Sequence, residues 1–133
     1  MKGVAVIFVC IFVATQALTD EQIHKLDTYR EDCAKHTGVD KELAIKARNG
    51  DFVEDEKLKE HLYCFSKKIG FQNEAGDLQL DVIRQKLAQE IKDTKVLEDV
   101  VKKCAVKKDT PQETSFQVAK CYSEHKPKQS SVH

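Results

Sequence analysis

Residues 104–122 read CAVKKDTPQETSFQVAKCY, and this stretch joins a strong helix start to two of the chain's cysteines. Thr110 sits where an N-cap is wanted and Pro111 at the first helical position, where its missing amide costs nothing. Glu113 completes a capping box with Thr110. Phe116, Val118 or Ala119, and Tyr122 then fall on one face, with Cys121 on the adjoining edge. Upstream, residues 94–107 predict a helix presenting Leu97, Val100, Val101 and Cys104. Both cysteines therefore lie inside helices rather than at loop tips.

The same periodicity extends toward the N-terminus. Thr19 and Gln22 form a capping box that opens a helix to about His36, with Ile23, Leu26, Tyr29 or Arg30, and Cys33 on one stripe, and Gly38 ends it. A short helix from Asp40 to Arg48 turns Leu43, Ala44 and Ala47 inward and is closed by Asn49-Gly50. Residues 55–69 carry Leu58, Leu62, Phe65 and Ile69, with Gly70 placed for a left-handed cap. After a turn at residues 73–76, Asp77 is the expected cap of a helix bearing Leu80, Ile83, Leu87 and Ile91. Strand-like alternation is confined to a few positions around Leu78 and Leu80. The reading is an all-α domain of six helices.

Residues 4–14 (VAVIFVCIFVA), preceded by Lys2 and followed by small residues to Ala17, form a secretory signal peptide over residues 1–17. The run is shorter than the roughly 20 residues a membrane span needs. The expected mature chain is a helical domain over 18–125 with a polar tail over 126–133. Charge is balanced at 22 basic and 22 acidic side chains in 133 residues, which gives no electrostatic reason to expect nucleic acid or stable membrane association. Of five cysteines, Cys10 leaves with the signal peptide, and Cys33, Cys64, Cys104 and Cys121 read as two disulfides in an oxidising compartment. Their spacing is too wide for paired metal ligands. Three pairings remain open; Cys104 with Cys121 joins consecutive helices, and Cys33 with Cys64 joins the first to the third.

The cysteine spacing over the whole mature chain resembles that of insect odorant-binding proteins. Cys33, Cys64, Cys104 and Cys121 match the first, third, fourth and sixth places of that family's six-cysteine framework, and Glu60 and Gln112 stand at the second and fifth. Loss of both members of one bridge is chemically coherent and defines the four-cysteine Minus-C subgroup. Leu62-Tyr63-Cys64-Phe65 followed by Gly70-Phe71, the Gly76-Asp77 turn, and residues 104–112 (CAVKKDTPQ) add to the likeness, the last being similar to beetle haemolymph and accessory-gland members. The resemblance implies the pairing Cys33–Cys64 and Cys104–Cys121, and six helices around an apolar cavity that carries a small hydrophobic ligand.

On periodicity alone, the apolar stripes read as packed core. The resemblance turns the central positions into expected pocket wall: Leu58, Leu62, Phe65, Leu80, Ile83, Leu87, Val100, Val101, Phe116 and Ala119. Tyr29 and Tyr122 are hydroxyls that could meet a headgroup or simply reach solvent. His24, His36, His61, His125 and His133 are too widely spaced for a metal motif and read as solvated, although His61 borders the third helix's apolar stripe, where protonation near pH 6 would loosen a wall. The lysine-rich stretches alternate with acids as solvated helix faces. No nucleophile motif, P-loop or zinc-protease motif occurs, so no enzyme activity, cofactor or metal is expected. The leading reading is a secreted, monomeric carrier of small apolar molecules in extracellular fluid. Its rival is a secreted interaction protein with a packed core that works through its surface.

Overall fold

The computed structural model describes residues 19–125, and within them the chain forms six helices. These are α1 (Asp20–Thr37), α2 (Lys41–Arg48), α3 (Glu56–Lys68), α4 (Leu80–Leu87), α5 (Thr94–Cys104) and α6 (Pro111–His125). The expected signal peptide (1–17) and polar tail (126–133) lie outside the described residues.

Local chemistry sets most helix ends. At α1 the Thr19 hydroxyl accepts from the Gln22 amide (3.2 Å) and the Gln22 side chain accepts from the Thr19 amide (2.9 Å), a complete capping box. Gly38 closes the helix at φ 72°, a left-handed conformation that glycine adopts without the Cβ penalty. Asp40, Asp55 and Asp93 cap α2, α3 and α5 through their carboxylates. Thr110 accepts from the Glu113 amide (3.0 Å) at the head of α6. The Glu113 carboxylate does not return to Thr110 as a capping box would ask; it meets Lys59 Nζ (2.8 Å) and the Gln117 side-chain amide (2.7 Å).

Two elements differ from the sequence expectation. Asp77 does not cap α4, because its carbonyl accepts from the Asn73 amide (3.0 Å) while the Gln79 amide donates to Phe71 (2.8 Å). This pairing makes an isolated antiparallel bridge between Gln72 and Leu78, and α4 begins only after it, with no side-chain cap at Gln79. Ile91 falls beyond α4 yet stays buried. Helix α5 stops at Cys104 rather than near residue 107, since the Lys108 amide is drawn to the Thr114 hydroxyl (2.8 Å) of the next helix. Gln72 ties the turn to α6 by donating to the carbonyls of Gly76 (3.1 Å) and Pro111 (3.2 Å). Gly76 has φ 89°, and a Cβ there would lie 2.6 Å from the Pro111 ring.

Helix α3 is central, packing against α6, α1 and α2, while α5 packs against α6 and α4. The two disulfides follow these contacts: Cys33–Cys64 joins α1 to α3 and Cys104–Cys121 joins α5 to α6. By chain entropy each contributes about 3–4 kcal/mol. The core is bipartite. One cluster gathers Ile83, Leu87, Ile91, Leu97, Val100, Val101 and Cys104. The other gathers Val39, Ala47, Leu58 and Phe116, with Phe52 edge-on to Phe116 at 5.8 Å between centroids.

Phe116 is fully buried whereas Leu80 is 40% exposed. We therefore expect Phe116→Ala to cost about 3–5 kcal/mol and Leu80→Ala about 0.5 kcal/mol or less, read by chemical denaturation of the oxidised protein. Similar costs at both positions would contradict this division between core and surface.

Candidate functional site

Between the two clusters lies a cavity of about 460 Å³, within the range of small-molecule sites. All six helices contribute to its wall. Leu62 and Phe65 from α3, with Ile69 at its C-cap, line it together with Val118 and Ala119 from α6, and Ile83, Leu87, Val100 and Val101 add to the wall. Leu26 and Tyr29 of α1, Ala44 and Ala47 of α2, and Phe52 also line it. These positions recur at spacings of three and four because one face of each helix must turn inward. The lining is apolar in its depth and becomes polar where Lys25, Arg48 and Lys68, all exposed residues, complete it.

Of the ten positions expected at the wall, Leu62, Phe65, Ile83, Leu87, Val100, Val101 and Ala119 line the cavity. Leu58 and Phe116 do not: both are fully buried in the second cluster, where Lys59 Nζ also sits 5.2 Å above the Phe116 ring. Leu80 does not either, standing at the first position of α4 with its side chain toward solvent. Stripe membership in the sequence does not separate a side chain that meets a neighbouring helix from one that meets a void.

The α1 and α2 contributions were less legible. The α1 stripe was visible as Leu26 and Tyr29 or Arg30, but nothing in the sequence said that it faces a cavity. Arg30 lies in that wall with its guanidinium 4.9 Å over the Phe65 ring, and Asp27 holds it at 3.0 Å. Burial lowers the affinity of Arg30 for its proton, Arg48 adds to this, and Asp27 opposes it. The Tyr122 hydroxyl donates to Glu90 (3.1 Å), and burial, reinforced by that carboxylate, holds its proton well above the usual tyrosine range.

His61 corrects the expectation of a solvated histidine. It is 4% exposed, lines the cavity, and its Nδ1 finds no hydrogen-bond partner among the described residues. Burial depresses its pKa, the Cys33 backbone opposes this by hydrogen bonding, and Arg30 adds to the depression. The neutral ring is favoured, so a charge change near pH 6 is moved toward more acid conditions.

Cys104, Cys121 and His125 bring their ligand atoms within 4.8 Å of one another, but the two sulfurs are bonded in a disulfide and offer no thiolate. Among the described residues no helix is long and apolar enough to cross a membrane.

A model described as the PBP/GOBP family matches residues 15–125. The chain is 36% identical over 117 residues to the B1 protein of Tenebrio molitor, covering 88% of this chain and 90% of that one. Among solved structures it is similar to the THP12 carrier protein from the yellow mealworm, at 41% identity and TM-score 0.58, over 74% of this chain and 89% of that one. It is also similar to the fatty acid binding protein OBP56a from the oral disk of the blowfly Phormia regina, at 28% identity and TM-score 0.65, over 81% and 94% of the two chains.

The buried imidazole has a consequence for stability. With its folded pKa depressed, His61 binds a proton more readily in the unfolded chain, so its contribution is fully present above about pH 6.5 and lost as pH falls below it. Denaturant midpoints at about pH 7.5 and about pH 5 should therefore differ more for the native protein than for His61→Gln. Equal acid sensitivity in the two proteins would contradict a buried neutral His61.

Proposed function

This chain belongs to the PBP/GOBP family, the insect odorant-binding proteins, and from that membership we propose that it is a secreted, monomeric, non-enzymatic carrier of small hydrophobic molecules in extracellular fluid. The observation that carries the reading is the 460 Å³ cavity, lined largely by apolar side chains from six helices, four of them cross-linked in pairs by disulfides. A packed interaction protein has no use for such a void, because unfilled apolar volume costs roughly 24 cal/mol per Å³. Leu62, Phe65, Ile83, Leu87, Val100, Val101 and Ala119 are the proposed apolar contacts. Secretion is supported by the signal-like residues 1–17 and by disulfides that need an oxidising compartment.

Membership of the four-cysteine subgroup is part of the proposal. Two bridges use Cys33, Cys64, Cys104 and Cys121, while Glu60 and Gln112 occupy the two remaining places of the framework. Next to those places, Lys59 and Glu113 form an ion pair (2.8 Å) from α3 to α6, and Lys59 also holds Glu54 (2.9 Å). Glu113 is held below the usual carboxylate range chiefly by its hydrogen bond from Lys59, so this polar tie persists at neutral pH. A role in haemolymph or a gland secretion, implied by the resemblance of residues 104–112, is proposed alongside a chemosensory one.

Saturable one-to-one binding of an environment-sensitive apolar fluorophore to the oxidised protein is the direct test. A micromolar dissociation constant, about 8 kcal/mol, is expected. Ala119→Trp places an indole in the cavity and should weaken binding about tenfold or more with the helical fold retained. No binding at tens of micromolar by folded, fully oxidised protein would replace the carrier with the surface-acting interaction protein.

A further inference from the structure

Cys104 ends α5, and His125 ends α6 one turn after Cys121. A spacing of four places the sulfur and the imidazole of α6 on one face. His125 Nδ1 lies 3.7 Å from Cys121 Sγ and 2.8 Å from the Cys121 carbonyl oxygen. With Cys104 Sγ these ligand atoms fall within 4.8 Å of one another, and among the described residues no other trio of histidine, cysteine or carboxylate side chains does so. The Cys33–Cys64 pair therefore has no such third ligand among the described residues. Burial is graded across the trio: Cys104 is 6% exposed, Cys121 is half-buried and His125 is exposed.

While the two sulfurs are bonded they offer no thiolate, but a disulfide is made from a dithiol and can be returned to one. A dithiol reductant does this in two exchanges. One of its sulfurs attacks Cys121 Sγ, the more exposed of the pair, and Cys104 leaves as a thiolate. The reductant's second sulfur then displaces Cys121, so the protein gains two electrons and two protons and the reductant becomes a disulfide. The freed sulfurs can part to about 3.8 Å, the separation required by tetrahedral zinc at about 2.3 Å from each. With Cα atoms 5.3 Å apart, that adjustment falls to side-chain rotation. We propose that Cys104, Cys121 and His125 bind a zinc ion in this dithiol state, through two thiolates and one imidazole nitrogen, with the fourth position open to water on the exposed side. Binding releases both thiol protons, and the two thiolates balance the divalent charge. His125 exchanges its contact with the Cys121 carbonyl for the metal. Zinc then holds α5 to α6 before the bridge closes and after it is reduced, whatever the cavity carries.

To test this, the protein is reduced by a dithiol, freed of it without oxygen, and titrated with zinc against a chromogenic chelator. A parallel titration uses cobalt(II), whose thiolate charge-transfer and tetrahedral bands report the ligand set. One equivalent should bind with thiolate bands, and zinc should block alkylation of Cys104 and Cys121 by iodoacetamide while Cys33 and Cys64 stay reactive. The oxidised protein should show neither bands nor uptake at this site. His125→Ala should weaken zinc binding about tenfold or more, the scale on which even supporting groups of a metal site act, with the helical circular dichroism of the reduced protein unchanged. Equal protection of all four cysteines, native affinity in His125→Ala, or cobalt bands without thiolate character overturns the site. So does zinc uptake by a reduced chain that has lost its helical signal and does not regain it.

Discussion

The cavity depends on a frame in which the helices around it are fastened in pairs by two disulfides. A space of this size is an absence of contacts, and a thin helical domain left to itself would collapse into it to regain dispersion energy. The Cys33–Cys64 bond fixes α1 on α3 with Cα atoms 5.7 Å apart, and Cys104–Cys121 fixes α5 on α6 at 5.3 Å. Helix α3 in turn packs on α6, so the two cross-linked pairs share one spine. The wall faces inward from this frame without having to meet across the middle.

Polar ties complete the frame where no covalent bond reaches. Lys59 bridges Glu54 and Glu113, tying α3 to α6, and its ammonium lies over Phe116, which shields the fully buried ring. The Gln72 side chain, fully buried, clamps the Gly76 turn to the start of α6. Such contacts are weaker than a disulfide and reversible, which suits a container whose walls must admit and release a guest. The exposed apolar side chains of Ile45, Leu80, Val96 and Val106 are scattered singly, as on ordinary soluble surfaces.

The two polar features of the cavity differ in kind. His61 is buried, its Nδ1 has no hydrogen-bond partner among the described residues, and burial holds its pKa down, so it sets a cost that grows on acidification. Arg30 and Arg48 line the cavity and share one oxygen of Asp27, at 3.0 and 3.8 Å. Arg30 links them, since it lowers the proton affinity of His61 while Arg48 lowers its own.

The sequence determined the helices and the inward faces, because caps such as Thr19, Asp55 and Thr110 and apolar spacings of three and four are local properties. The disulfide pattern was legible through the family resemblance rather than through chemistry, which left three pairings open. Helix ends that depend on distant partners were not legible: Asp77 lost its capping role to the Gln72–Leu78 bridge, and α5 ended early where Lys108 met Thr114. The tertiary structure alone decided which inward residues face a void. Leu58 and Leu62 share one stripe of α3, yet the first packs against Phe116 and its neighbours and the second borders the cavity. Likewise Arg30 and Arg48 lie on different helices, and only folding brings their charges to one carboxylate at one mouth. Periodicity records the direction of a side chain from its own helix; what it meets is set by the other helices, whose positions no local pattern encodes.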